Sequence, residues 1–146
     1  MRKFEKITHY QNESFDLPKR ATTHSAGYDL ASIEEVTINP KEIKMIPTGL
    51  KVAMNDDEVL LVFPRSSLGI KKGLTMANNV GVIDQDYYNS PINEGHIMIP
   101  IYNFGEVSQT VLKHERIAQG IFINYLKTDE DFTTEKRISG FGSTDK

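Results

Sequence analysis

Asp84 and Asp86 close an apolar run, with Tyr87 directly behind them, in Asn78-Asn79-Val80-Gly81-Val82-Ile83-Asp84-Gln85-Asp86-Tyr87. One carboxylate so placed can orient a water and take its proton as a general base. The Tyr87 ring offers a flat face to a sugar, and the Asn78 amide presents both a donor and an acceptor to the edge of a base. A solvated hairpin tip bearing two acids is the plainer alternative. Pro64-Arg65-Ser66-Ser67-Leu68-Gly69 sets a guanidinium and two hydroxyls where a strand gives way to a helical turn. Such a junction can seat phosphate oxygens, or it can be an ordinary serine cap beside a solvated arginine. In Ala26-Gly27-Tyr28-Asp29-Leu30, Asp29 is a candidate magnesium residue, acting directly or through water, or a turn-capping aspartate.

Two further segments complete the set. Glu115-Arg116-Ile117-Ala118-Gln119-Gly120 opens a long strand, and its alternation is expected to send Arg116, Ala118 and Gly120 to one face and Gln119 to the other. A glutamine among apolar neighbours must find a partner if buried. Arg137-Ile138-Ser139-Gly140-Phe141-Gly142-Ser143-Thr144 ends the sequence. Two glycines there allow a tail to hinge closed over a nucleotide, with Phe141 on the base and Arg137, Gly142 and Ser143 at the phosphates; a disordered tail is the alternative.

The elements that must position these groups are short, rich in Val, Ile and Tyr, and broken by turn residues, the pattern of strands. Strands are expected at Glu35-Asn39, in two runs of Ile43-Met54 divided by Pro47-Thr48-Gly49, and at Leu74-Ile83, Ile97-Tyr102 and Ile117-Tyr125. Val59-Leu60-Leu61-Val62-Phe63, stopped by Pro64, reads as a strand buried on both faces. The best helical candidate is Ser66-Lys72. Many short strands with frequent turns predict an all-β sandwich, barrel or jelly roll.

Composition sets the outer bounds. The 146 residues carry a net charge of −3, which argues against a broad nucleic-acid surface but leaves room for a small anion bound by local positive charge. No apolar run suits a bilayer, and no apolar stretch follows the basic N-terminal residues as in a secretory signal. Zero cysteines exclude disulfides and thiolate metal sites, and a cytoplasmic setting is expected. His9, His24, His96 and His114 lie too far apart for a local zinc motif. The chain reads as one domain over 1–146, with 127–146 as a linker and flexible tail that closes an active site. At this size, part of the stability is expected from subunit contacts.

Together, in this order and spacing, the five segments resemble the homotrimeric dUTPase family, from Leu17-Pro18 to the C-terminus. The resemblance implies a distorted jelly-roll (β-clip) subunit, a homotrimer with active sites at subunit interfaces, and hydrolysis of dUTP to dUMP and diphosphate. It further implies that Asp84 activates the water attacking the α-phosphorus and that Asp29 holds magnesium through water. Arg65, Ser66, Ser67 and Gln119 would bind the phosphate side. Asn78, the backbone of Val82 and Ile83, and a facing strand near Met98 would read uracil. Tyr87 would pack under the deoxyribose and exclude a 2′-hydroxyl, and Phe141 would cover the base.

Three places depart from the family pattern. Tyr88-Asn89-Ser90-Pro91-Ile92-Asn93-Glu94 precedes Gly95, an insertion of about six residues read as lengthening a hairpin tip. Arg137 stands one position closer to Phe141 than the pattern has it, so Lys136 competes for the cationic place. Asp145 replaces the glycine after Ser143-Thr144. The competing functions are dCTP deamination on the same fold, a binding or regulatory role, and an inactive structural subunit.

Overall fold

The computed structural model describes residues 1–137. Its strands are β1 (Lys3–Lys6), β2 (Tyr28–Ala31), β3 (Val36–Ile38), β4 (Ile43–Pro47), β5 (Leu50–Ala53), β6 (Glu58–Pro64), β7 (Leu74–Met76), β8 (Gly81–Ile83), β9 (Met98–Asn103), β10 (Gln109–Val111) and β11 (Arg116–Asn124). One helix, α1 (Ser66–Lys72), joins β6 to β7, where the sequence predicts it. Gly73 ends it in the left-handed region, at φ +66°, and returns its N–H to the carbonyls of Leu68 and Gly69. A side chain at that backbone angle would be strained, so glycine is the natural stop.

All strand pairs are antiparallel and fall into four sheets, in the orders β1-β5, β10-β3, β2-β11-β6-β8 and β4-β9-β7. Leu30, Ile38, Ile46, Leu60, Ile101 and Ile117, each wholly covered, come from six different strands and fill the core between them. The breaks at Pro47-Thr48-Gly49 and after Pro64 fall where turn chemistry predicts, because proline cannot extend a hydrogen-bonded ladder.

Four expectations are corrected by the packing. In β6, Leu60 and Val62 are buried while Leu61 and Phe63 are only partly covered, so the apolar run is fully buried on one face rather than two. The run Leu74–Ile83 is two strands in two different sheets, separated by a turn in which Asn79 takes φ +64°. Asparagine is one of the few side chains that accepts that conformation readily. In β11 the register shifts between Arg116 and Ala118, so Ile117 and Ala118 are both buried and Arg116 turns outward. This bulge breaks the alternation that would have put Arg116 beside Ala118.

The fourth correction concerns the insertion, which does not lengthen a free hairpin tip. It folds back between a 3-10 turn (Gln85–Tyr87) and β9, closed by Asn89 N–H on the Glu94 carbonyl at 3.0 Å and Glu94 N–H on the Ser90 carbonyl at 2.8 Å. Glu94 accepts from Lys51 Nζ at 2.7 Å and from the Thr8 N–H and hydroxyl, and Tyr88 donates to Glu5 at 2.6 Å. The insertion is therefore tied to β1, β5 and the segment between them.

His96, just beyond this loop, accepts the Gly49 N–H on Nε2 at 2.9 Å, and burial pushes its pKa down to about 4 against the opposing pull of Glu34 and Glu94. A histidine whose folded pKa lies below its unfolded value gives stability that is full above about pH 6.5 and is lost as the pH falls toward 4. Between pH 7.5 and pH 5, urea denaturation of wild type should lose about 1–2 kcal/mol more than that of a His96→Gln variant, after allowance for solvent screening. Equal losses in the two proteins would show that His96 titrates normally.

Candidate active site

Several of the site residues predicted from sequence gather toward two ends of strand β6. At its C-terminal end, Arg65 follows Pro64 in extended conformation as the N-cap of α1, its N–H bonded to the Ile117 carbonyl and its Nη1 to the Arg116 carbonyl at 3.3 Å. Ser66 is exposed and Ser67 half-buried beside it. Helix α1 spans only seven residues, so its dipole is short and the fixed charge of Arg65 dominates any attraction for an anion here. Gln119 pairs directly with Asp29 across β11 and β2, and it also faces Phe63 on β6. Asp29, Gln119 and Arg65 thus share one end of one sheet.

Gly27 has a reason to be glycine. A Cβ on it would lie 2.5 Å from Gln119 Oε1, so the bare backbone makes room for the glutamine side chain. Arg116, which the sequence left without a role, reaches Asp29 Oδ2 at 3.4 Å. Its outward turn at the bulge makes that contact possible, and only the registry of two strands could have revealed it. A cavity of ≈ 600 Å³ opens beside Asp29 and Arg116, with Arg20 and His114 also on its wall.

The second cluster sits at the opposite end of β6. Ile83 pairs with Leu60, so Asp84 lies one residue beyond that point, and Leu60 is five residues of strand from Arg65, roughly 16 Å. Asp84 and Asp86 are each about half exposed, and one guanidinium bridges them: Arg137 Nη2 is 2.6 Å from Asp84 Oδ2, and its Nε is 2.7 Å from Asp86 Oδ1. Arg137, not Lys136, is the cation drawn to the acids. Tyr87 is buried, and its hydroxyl donates to the His96 carbonyl at 2.7 Å. Its pKa is raised by that burial, so the phenol keeps its proton.

Asn78 precedes β8, with its amide nitrogen close to Gly81. Its Oδ1 is buried and has no hydrogen-bond partner among the described residues. Strand β8 is the last in its sheet, so the backbone groups of its outer edge face away from β6. Met98 opens β9 opposite Pro47, in another sheet. The strand hydrogen-bonded to Val82 and Ile83 is β6, which corrects the expectation that the Met98 strand faces them in one hairpin. Phe141, Gly142 and Ser143 lie outside the described residues.

The carboxylates also test the fit of a magnesium ion. Among the described residues no three metal-binding side chains converge, and Asp29 stands alone near Gln119. Magnesium typically binds through one or two carboxylates plus substrate phosphates and retains water, so a single carboxylate near an anion seat fits an ion shared with a polyphosphate.

The described residues thus form an antiparallel β protein with an acid-aromatic cluster toward one end of β6 and a cation-hydroxyl cluster at the other. A family model described as dUTPase matches residues 13–145, and the chain belongs to the dUTPase family. The deoxyuridine 5'-triphosphate nucleotidohydrolase of Lactococcus lactis is 50% identical over 146 residues, covering 99% of this chain and 97% of that protein. That of Rickettsia felis is 40% identical, covering 95% of each. The crystal structure of dUTPase from Streptococcus mutans matches with a TM-score of 0.82 at 46% identity, over 87% of this chain and 98% of that one. The dUTPase from phage phi11 of S. aureus, at 21% identity and a TM-score of 0.73, shares the fold.

Proposed function

We infer that this protein is a dUTP diphosphatase, releasing dUMP and diphosphate by attack of water on the α-phosphorus. In the cell this reaction limits uracil incorporation into DNA and supplies dUMP for thymidylate synthesis. The observation that carries the reading is the layout around β8. Among the described residues, a buried amide oxygen on Asn78 without a hydrogen-bond partner precedes the strand, no further strand pairs with its outer edge, and Asp84 follows its last residue. Uracil is flat and carries alternating donors and acceptors, so the open edge of Val82 and Ile83 with the Asn78 amide suits it. A site built to pair those groups rejects cytosine, whose pattern is inverted.

Asp84 orients the attacking water and accepts its proton. That carboxylate is engaged by Arg137, and a bound triphosphate would offer the guanidinium a stronger partner and free Asp84 to act. Arg65, Ser66 and Ser67 hold phosphate oxygens and balance the charge that builds on the diphosphate leaving group. Asp29, with Gln119 beside it, would hold a magnesium ion through water. When bound, the ion would supply charge neutralisation for the triphosphate. Residues 127–137 form the described part of a tail whose continuation, with Phe141, Gly142 and Ser143, closes over the nucleotide. Met98 is kept as a more distant contributor to the base pocket.

The two clusters lie at opposite ends of β6, roughly 16 Å apart along the strand. A homotrimer in which the acid-aromatic end of one subunit meets the cation-hydroxyl end of its neighbour would bring both kinds of group to one nucleotide. Among the described residues no helix is long and apolar enough to cross a membrane; with its cysteine-free composition the enzyme is assigned to the cytoplasm.

The deciding experiment runs the reaction in heavy-oxygen water with magnesium and follows the label by mass spectrometry. The label is expected in dUMP and not in diphosphate, no ammonia is expected from dCTP, and chelation of magnesium should slow turnover by about tenfold or more. Ammonia release from dCTP would assign the fold to deamination instead. Sedimentation equilibrium should give three times the monomer mass of 16.5 kDa.

A further inference from the structure

We propose that Asn93, in the inserted loop, positions the Tyr87 ring and thereby sets the preference of the enzyme for a 2′-deoxy over a 2′-hydroxy nucleotide. The proposal rests on the reading of Tyr87 as the wall the sugar meets; only 3% of the residue is exposed, so that contact would be made through the small part of it left open. Asn93 Nδ2 donates to the Tyr87 hydroxyl at 2.8 Å, and that hydroxyl donates to the His96 carbonyl at 2.7 Å. The orientation of the Asn93 amide is settled by its other end, because Oδ1 accepts the Gly95 N–H at 3.1 Å and so turns the nitrogen toward the phenol. A ring whose hydroxyl is held from two sides cannot swing about its side-chain bonds without losing both bonds.

The same loop holds the Tyr87 backbone. Ser90 N–H bonds to the Tyr87 carbonyl at 3.0 Å, and Tyr87 N–H bonds to the Asp84 carbonyl at 3.1 Å. Gly95, at φ +82°, passes so close that a Cβ there would overlap the Tyr87 carbonyl oxygen. The loop itself is fixed to the body of the protein by Glu94 on Lys51 and Thr8, and by Tyr88 on Glu5. Its side chains thus divide between two tasks: Glu94 and Tyr88 anchor it, while Asn93 reaches inward to the ring. Discrimination by exclusion depends on such fixity, since a ring free to retreat by an ångström would admit the additional oxygen of a ribose. Asn93 is a positioning residue, acting on substrate only through Tyr87.

The test measures kcat/KM for dUTP and for UTP in wild type, Asn93→Ala, Asn93→Asp, Tyr87→Phe, Tyr87→Leu and the Asn93→Ala/Tyr87→Phe double variant. Asn93→Ala is expected to lower the dUTP-to-UTP ratio by about tenfold, mainly by improving UTP, with kcat for dUTP held within about twofold. Tyr87→Phe keeps the ring but removes the hydroxyl that Asn93 holds, so the double variant should be no less selective than Tyr87→Phe alone. Asn93→Asp is nearly isosteric but can only accept: the phenol can donate to its carboxylate only by leaving the His96 carbonyl, so the ring is held from one side and part of the loss should appear even if the alanine variant fails to fold. Unchanged selectivity in both Asn93 variants, with selectivity lost in Tyr87→Leu, would overturn the role of Asn93 and leave the sugar platform standing. Unchanged selectivity in Tyr87→Leu would overturn the platform itself. Additive losses in the double variant would show that Asn93 works by some route other than the Tyr87 hydroxyl.

Discussion

Asp84→Asn should slow dUTP hydrolysis by about 10³-fold while leaving KM within a few-fold of wild type, the signature of a lost general base rather than a lost contact. Asparagine matches the shape of aspartate and still accepts a hydrogen bond from Arg137, but it cannot take a proton from water. The variant should unfold close to the wild-type temperature, because Asp84 is half exposed and the largely covered Arg137 guanidinium keeps Asp86 as its carboxylate partner. Asp86→Asn is the matched control. It stands at a similar distance from Arg137 and is equally exposed, so a general weakening of the acid pair would affect both variants alike. A loss in Asp86→Asn as large as in Asp84→Asn, or a loss below tenfold in Asp84→Asn, would remove Asp84 from the centre of the mechanism.

The bridge from Arg137 to both acids bears on how that experiment reads. The guanidinium donates from Nη2 to Asp84 Oδ2 at 2.6 Å and from Nε to Asp86 Oδ1 at 2.7 Å. Charge neutralisation of two close carboxylates favours this arrangement, and a bound triphosphate would compete for the same cation with more charge.

Much of this arrangement was legible in the order of residues, and the exceptions have a common cause. Turn residues located the breaks at Pro47-Thr48-Gly49 and Pro64, and Ser66-Lys72 was the right helix, because these depend on local backbone chemistry. Strand β1 was missed: Lys3-Phe4-Glu5-Lys6 has only Phe4 to bury, and the strand exists because β5 pairs with it. Strand β10, Gln109-Thr110-Val111, is equally polar and owes its state to β3. The bulge at Arg116 is a property of two strands in register, invisible in either alone. The reactive residue types of the site were all visible, but their division between two ends of β6 was not, since it follows from the pairing of Ile83 with Leu60. The insertion could be seen as an insertion, whereas its docking through Glu94 and Tyr88 joins residues more than forty positions apart.

At the other end of β6, Arg65→Ala should lower kcat/KM for dUTP by about 10²-fold, the scale on which removing one preorganised charge-stabilising donor acts. The neighbouring cations cannot easily substitute for it. Arg116 is paired with Asp29, and Lys72 Nζ is held by Glu115 at 2.8 Å and by the Thr110 carbonyl at 3.2 Å. Arg65, by contrast, donates from Nη1 only to the Arg116 carbonyl, with no carboxylate in ion-pair reach among the described residues. Its charge is therefore available to a ligand. The substitution should largely spare the fold: it removes one exposed bond, from Nη1 to the Arg116 carbonyl, while the Arg65 backbone N–H still joins β11 through the Ile117 carbonyl. Arg65→Lys restores the charge without the planar fork, so it should recover only part of the loss. The deficit should grow with each phosphate present, leaving dUMP binding nearly unchanged while weakening that of a non-hydrolysable dUTP analogue, as read by titration calorimetry. If Arg65→Ala weakened both ligands equally, the guanidinium would be serving the nucleoside rather than the phosphates. The cation-hydroxyl end of β6 would then need a different occupant.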